Sequence, residues 1–470
     1  MAIKLFNTLT RKFEKFVPLV SGHIGFYSCG PTVYSFSHIG NMRAYIHADL
    51  MKRMFLSNGY EVRHVMNLTD VGHLTSDSDT GEDKMEKGAK RENKSVWEIS
   101  KMYADAFFAD TDDLNIIRPT VVTKATDYIR EQIDMIKKLE DLGYTYKIDG
   151  DGIYYDTSKF SSYESLAGGN IKGNKAGARV EFNEAKRNPT DFALWKFSPT
   201  DTKRQMEWDS PWGIGFPGWH IECSAMSMAE LGPHFDIHTG GTDHIPIHHT
   251  NEIAQAEPIV GSPWVNYWVH FEFLLDHTGK MSKSNGEFLT LSSVKSREYD
   301  PMHYRYLITL GHYQSQIAFS WEAMDAARNG YERIVRKIAG LIDDKERTAD
   351  KEKSDFWKNR MLMTMNDNMK TAETLVIFQE MLRDLETDDT TKLAVADFID
   401  NLLGLRFLEN AKKLGVSEEI PSEIMELARQ RASAKVVKNF ISADKFRAEI
   451  DAAGWTVIDS KDGYEIVRKR

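Results

Sequence analysis

With 470 residues and a formal net charge of −10, the chain has room for two to four domains, and its overall charge argues against a nucleic-acid partner. Hydrophobic residues at 41% and charged residues at 28% describe a soluble globular protein, and the longest apolar runs are far too short to span a membrane. Met1 to Phe16 has basic residues but no apolar core or cleavage site of a secretory signal, so a cytoplasmic location is expected. The two cysteines exclude a disulfide framework, and on composition alone each reads as a small buried hydrophobe.

In chain order, His23–Cys29 reads as a strand broken by Gly30–Pro31. From Gly40, the residues Met42, Tyr45, Ile46, Ala48, Leu50 and Met54 recur at helical spacing until Gly59. Glu61–Thr69 reads as a second strand, so the first 70 residues form one βαβ unit and imply a parallel, doubly wound sheet. Residues 76–94 are polar and charged, which suits a loop or an exposed helix. A helix is expected around Tyr128–Leu142, stopped by Gly143, followed over 144–157 by a hairpin turned at Gly150–Asp151–Gly152. Ser161–Thr202 has no clean period and reads as an insertion between two halves of a catalytic domain.

Order returns with a helix over Pro217–Leu231, opened by the proline, a strand over 235–239 and a helix from about His248. After Ser320 the segments 320–342 and 355–413 are amphipathic helices. A helix ending near Gly454 and a hairpin turned at Asp462–Gly463 close the chain.

Two short motifs suggest chemistry. Ser37–Asn41 (SHIGN) lies where the first strand gives way to its helix. A helix N-terminus there presents free N–H groups and a favourable dipole to a polyphosphate, the imidazole of His38 can donate a hydrogen bond, and Gly40 leaves room for a base or ribose. About 240 residues later comes Lys280–Ser284 (KMSKS), bracketed by Gly279 and Gly286. Two lysines three apart on a glycine-hinged loop can neutralise charge on a leaving pyrophosphate.

Together, HIGN and KMSKS resemble the signature pair of class I aminoacyl-tRNA synthetases. The stretches CGPTVY at 29–34, GWHIECSAM at 218–226 and HHTNE at 248–252 resemble the cysteinyl-tRNA synthetase family in particular. The likeness runs from about Phe6 to the end of the chain, including the tail near Asp444–Trp455. It implies a Rossmann-like α/β catalytic domain in two halves, 1–125 and 216–265, separated by a connective insertion at 126–215. A KMSKS-bearing linker at 266–318, a helical bundle at 319–413 and a small α+β anticodon-binding tail at 414–470 would follow.

The family activates L-cysteine with ATP and Mg²⁺ and transfers it to tRNA(Cys), and the resemblance carries over its site residues one by one. Cys29, Cys223, His248 and Glu252 match the ligands of one zinc ion. A shape-based pocket separates cysteine poorly from serine, by about 10²-fold, whereas zinc binds a thiolate at about 2.3 Å and a neutral hydroxyl far less well. The substrate sulfur would be an added ligand that loses its proton on binding. Helical spacing puts His248 and Glu252 on one face, but His249 and Glu252 are also compatible, so the choice of His248 comes from the resemblance.

Gly30, Thr69, Trp219 and Asp243 would line the cysteine pocket, with Asp243 pairing the ammonium and Trp219 walling the site. His38, Gly40, Asn41, Gly241 and Lys283 would handle ATP, with Trp268 and Val269 near the adenine, and His38, Lys280 and Lys283 would serve catalysis. His238 reads either as a group behind the metal ligands or as a strand-end histidine facing solvent. Asn41 stands where the most quoted form of the motif has a second histidine. It can donate a hydrogen bond but cannot carry a proton, which reads as tuning rather than loss of activity.

From Arg429 to Arg470 there are ten Lys/Arg and six Asp/Glu, so a locally basic tail sits where the family places its anticodon reader. A monomer is expected. A cysteine ligase acting on an amino sugar in the mycothiol pathway resembles the catalytic half, but the roughly 130 residues after Ile338 argue against it. A catalytically silent RNA-binding or regulatory relative is opposed by the intact Lys280, Lys283, Cys29 and Cys223.

Overall fold

The computed structural model describes residues 2–73, 83–168, 184–199, 203–276, 279–280, 289–343, 347–415, 421–437, 439–460 and 463–468. The chain divides into two compact units, Met1–Ala411 and Lys412–Arg470.

The first unit is built on a five-stranded parallel sheet in the order Val265–Phe271, Phe235–Gly241, His23–Ser28, Glu61–Leu68, Val121–Lys124. The expected βαβ unit is present: His23–Ser28 pairs in parallel with Glu61–Leu68, joined by the helix Ile39–Ser57. Gly59, at φ +82°, follows that helix at the position read as its stop. Tyr27, Trp195, Trp264 and Trp268, all under 2% exposed, belong to the main apolar core.

Between the sheet's fifth and second strands the chain makes a four-stranded antiparallel sheet of Thr145–Ile148, Gly152–Tyr155, Phe192–Phe197 and Gly215–Pro217. The hairpin expected over 144–157 forms, with Gly150 at φ +76° in its turn and Gly152 already in the strand. Phe192–Phe197, in the stretch read as lacking a period, is a strand because FALWKF is apolar but for Lys196, which pairs with Asp151, and is nearly all buried. The helix expected to open at Pro217 begins at Trp219. Pro217 ends a short strand opposite Trp195, and Gly218 is the N-cap.

Two further helices occupy the polar region before the insertion. Lys84–Glu92 lies in the segment read as loop or exposed helix, and Val96–Asp113 opens with a capping box between Ser95 and Glu98. A small sheet of Gly279–Lys280, Leu274–Asp276 and Ile317–Ala318 follows the last parallel strand. The helices Trp321–Ala339, Lys351–Asn366, Thr371–Arg383 and Asp389–Leu403 match the amphipathic pattern after Ser320.

A buried ionic knot fastens these helices to the first one. Asp49 of Ile39–Ser57 accepts from Arg53 at 2.8 Å and from Arg305, whose guanidinium also bonds the carbonyls of Leu114 and Leu403 at 2.9 Å. Gly404 follows at φ +67°, and a Cβ there would run into Arg305 and Arg53. No helix among the described residues is long and apolar enough to cross a membrane.

The second unit has its own core of Ile424, Ala428, Ile450, Trp455 and Val457. It combines the helices Ser422–Val436 and Phe440–Ala452 with the antiparallel pair Trp455–Ser460 and Gly463–Arg468. Asp462, named in the expected turn, lies outside the described residues.

Candidate active site and metal centre

Doubly wound sheets bind ligands outside the carboxyl ends of their strands, where neighbouring connections leave in opposite directions. Here that point lies between His23–Ser28 and Phe235–Gly241, the strands that deliver Cys29–Gly30 and Gly240–Gly241. A cleft of about 400 Å³ opens there. It is lined by Cys29, Gly30, His38, Gly40, Asn41, Thr69, Trp219, Cys223, Gly241, Asp243 and His248.

Eleven residues singled out in the sequence thus meet in one cavity. Trp268 and Val269 do not line it: both side chains are buried in the strand Val265–Phe271, with Trp268 stacked on His238 at a centroid distance of 4.7 Å. Lys280 lies in the small sheet, paired with Leu275. Lys283 lies outside the described residues.

The glycines are dictated by close approach. A Cβ on Gly30 would sit 1.7 Å from the Asn67 carbonyl oxygen, and the Gly30 N–H donates to Asn67 Oδ1 at 2.8 Å. Asn67 in turn donates to Thr69 Oγ1 at 3.1 Å, and Thr69 donates to Glu222 at 2.9 Å. The other Glu222 oxygen is 2.6 Å from His73 Nε2. This wholly buried chain stiffens the cleft floor. Sequence reasoning missed Asn67, His73 and Glu222; the available signal was an acidic residue directly before Cys223 in the helix Trp219–Leu231.

At the opposite wall His38 is the N-cap of Ile39–Ser57. Its Nδ1 accepts from the Asn41 N–H at 3.2 Å, and Asn41 Oδ1 accepts from the His38 N–H at 3.3 Å. An imidazole that accepts at Nδ1 carries its proton on Nε2. Asn41 closes a capping box, a role the reading of this position as a substituted histidine did not foresee.

Beneath the cleft the donor atoms of Cys29, Cys223, His248 and Glu252 all lie within 4.8 Å of one another. Cys29, His238, His249 and Glu252 make a second such group that shares two members with the first. Tetrahedral zinc with bonds of about 2.0–2.3 Å needs donors spaced about 3.3–3.8 Å apart, so only small adjustments separate these residues from a coordination shell. His248 Nε2 is 3.0 Å from Glu252 Oε1, whereas His249 Nε2 is 3.9 Å from that oxygen and 3.4 Å from Cys29 Sγ. His248 alone of the two histidines lines the cleft, where its ring stacks under Trp219 at 4.4 Å. The first group also offers two thiols, the donors zinc prefers.

The surroundings orient these donors. His248 Nδ1 faces His220 Nδ1 at 2.9 Å, and His249 Nδ1 faces His270 Nε2 at 2.7 Å. His238 is fully buried and bonds Glu252 Oε2 at 2.8 Å, so its reading as a solvent-facing histidine is corrected. Burial pushes the Cys29 thiol up, while the hydrogen bond with Cys29 brings Cys223 down to about 7 despite burial. Burial disfavours charge on both His248 and Glu252, yet their pairing wins. Glu252 and Cys223 lift His248 to about 10, and His238 and His248 hold Glu252 at about 2.

Residues 15–329 match the family model of the tRNA synthetase class I (C) catalytic domain. Two solved structures share the fold at low identity. Mycobacterium tuberculosis methionyl-tRNA synthetase in complex with methionyl-adenylate aligns with a TM-score of 0.56 at 13% identity, covering 85% of this chain and 95% of that one. Agrobacterium radiobacter K84 agnB2 LeuRS, in its ternary complex with tRNA and LeuAMS, aligns with a TM-score of 0.58 at 11% identity and 85% coverage of both chains. The fold and the catalytic-domain match define a class I aminoacyl-tRNA synthetase.

Among curated relatives, the cysteine–tRNA ligase of Treponema denticola is 45% identical over 97% of both chains. Cysteine–tRNA ligase 1 of Burkholderia lata is 45% identical over 99% of this chain and 97% of its own. The chain belongs to the cysteinyl-tRNA synthetase family.

Proposed function

We propose that this protein activates L-cysteine with ATP and transfers the cysteinyl group to tRNA(Cys), selecting its substrate through a zinc-bound thiolate. The observation that carries the reading is one cleft with a four-donor thiol, imidazole and carboxylate cluster at its floor and a capped helix N-terminus on its wall.

Cys29, Cys223, His248 and Glu252 would hold the ion, which supplies a soft Lewis acid that takes a thiolate and disfavours a neutral hydroxyl. His238 fixes the second oxygen of Glu252, and His220 fixes the His248 ring. Asp243 pairs the substrate ammonium, Trp219 walls the side chain, and Gly30 and Thr69 shape the floor. This leaves the cysteine carboxylate facing the helix start.

ATP lies across His38, Gly40, Asn41 and Gly241, with the adenine beyond the carboxyl end of the strand Val265–Phe271 that carries Trp268 and Val269, and Mg²⁺ accompanying the phosphates. The carboxylate oxygen attacks the α-phosphorus, and the bond to pyrophosphate breaks. His38 Nε2, Lys280 and Lys283 neutralise the charge on the departing group, and no protein nucleophile is needed. A ribose hydroxyl of the 3′-terminal adenosine of tRNA then attacks the carbonyl carbon of the cysteinyl-adenylate and AMP leaves, while residues 414–470 read the anticodon. The protein acts as a cytoplasmic monomer.

The test is cysteine-dependent ATP–pyrophosphate exchange followed by transfer to purified tRNA(Cys). Absence of exchange overturns the reading. Exchange without transfer leaves cysteine activation standing and removes tRNA as the acceptor, in favour of an amino-sugar ligase.

A further inference from the structure

Arg43 lies in the second turn of the helix that His38 caps and is 1% exposed. Its two Nη atoms donate to main-chain carbonyls about 230–270 residues away in sequence. One Nη donates to Phe273 O, and the other to Ser315 O and, at 3.2 Å, to His312 O. Phe273 and Ser315 stand just before the paired strands Leu274–Asp276 and Ile317–Ala318. One side chain therefore grips the starts of both.

Leu275 of the first strand pairs with Lys280, so the gripped strand is the one against which Lys280 is registered. The first turn of the same helix holds the chain again at Leu289, whose carbonyl accepts from the Ile39 N–H at 2.8 Å. The Ile39 carbonyl accepts from the buried Tyr304 hydroxyl at 2.6 Å. Only a planar fork with several donors can serve carbonyls on two strands at once, and an ammonium cannot reproduce it.

We propose that Arg43 is a positioning residue for the activation step, setting the strand pair against which Lys280 is registered at a fixed distance from His38. This rests on the reading above, in which His38 and Lys280 act on the phosphates of ATP. The helix is the ruler: His38 and Arg43 are five residues apart on one rigid element, about 7.5 Å along its axis. A shift of about 1 Å in such a constellation lowers rate by about 10²-fold.

The experiment is a double-mutant cycle in the full chain, with Arg43→Lys, Lys280→Ala and the double variant compared in ATP–pyrophosphate exchange. Arg43→Gln stands in if the lysine variant is unstable. Arg43→Lys is expected to lower kcat for exchange about 10²-fold, leave KM for cysteine and the bound metal unchanged, and speed amide hydrogen exchange over 272–280 but not over 250–260. In the Lys280→Ala background the same change should cost less than about threefold.

Fully additive losses would overturn the proposal, as would a lowered melting temperature with unchanged kcat. A harmless Lys280→Ala would overturn the role of Lys280 and the positioning claim with it. Exchange by the unsubstituted chain decides the broader functional reading separately.

Discussion

Replacing Cys223 by serine exchanges one buried sulfur for an oxygen at the centre of the donor cluster, and the structure sets the size of the effect. Cys223 is 1% exposed, in hydrogen-bond contact with Cys29 and His248, and its donor atom lies within 4.8 Å of those of Cys29, His248 and Glu252. The two side chains are nearly isosteric, so packing should change little and the loss should fall on coordination. Four-donor zinc sites bind with about 10–16 kcal/mol, so one thiolate is worth about 3 kcal/mol and its loss weakens zinc by about 10²-fold. The assay is metal content after dialysis against a graded chelator, with cysteine binding followed in parallel and circular dichroism confirming the fold. Zinc retention and cysteine affinity should fall together. A folded Cys223→Ser protein that keeps both would refute the metal reading.

Three further outcomes are expected. Gly30→Ala would drive a methyl onto the Asn67 carbonyl, and the floor must move; KM for cysteine in pyrophosphate exchange should rise at least tenfold while metal content stays unchanged. Asp49→Asn strips the carboxylate from two buried guanidiniums and should lower unfolding free energy by about 3–5 kcal/mol, read from urea denaturation. Asp110 is lifted to about 6 by burial and by Asp113. Its folded value lies above its unfolded one, so the ionised form destabilises the fold above pH 6 and that penalty fades as pH falls from about 6 towards 4. Asp110→Asn should therefore add on the order of 1 kcal/mol at pH 7.5, after allowance for its partial exposure, and nothing near pH 4. Urea midpoints at pH 7.5 and 4.2 check this, and an equal gain at both values would contradict the assignment.

The elements legible in the sequence were those whose determinants are local. The βαβ unit could be read because period 2 and period 3.6 each appear within a dozen residues, and because Gly59 marks the helix stop. Phe192–Phe197 escaped because a strand buried on both faces has no alternation, and its flanking Gly, Asn and Lys suggested loop. The helix Val96–Asp113 was overlooked although its Ser95–Glu98 capping box stands in plain view.

The site divides along the same line. Sequence by itself offered a candidate phosphate-facing helix start at His38 and Gly40, and its resemblance to a known family offered Cys29, Cys223, His248 and Glu252 as candidate donors. Tertiary structure alone decided which of them meet. Parallel pairing of His23–Ser28 with Phe235–Gly241 brings Cys29 to residues about two hundred positions away, and in the folded chain His248 lines the cleft while His249 does not. Helical spacing allows either histidine to join Glu252, because i+3 and i+4 share one face. In the fold Trp219 and His220 pack against the His248 ring and His270 against the His249 ring, contacts that no local pattern encodes.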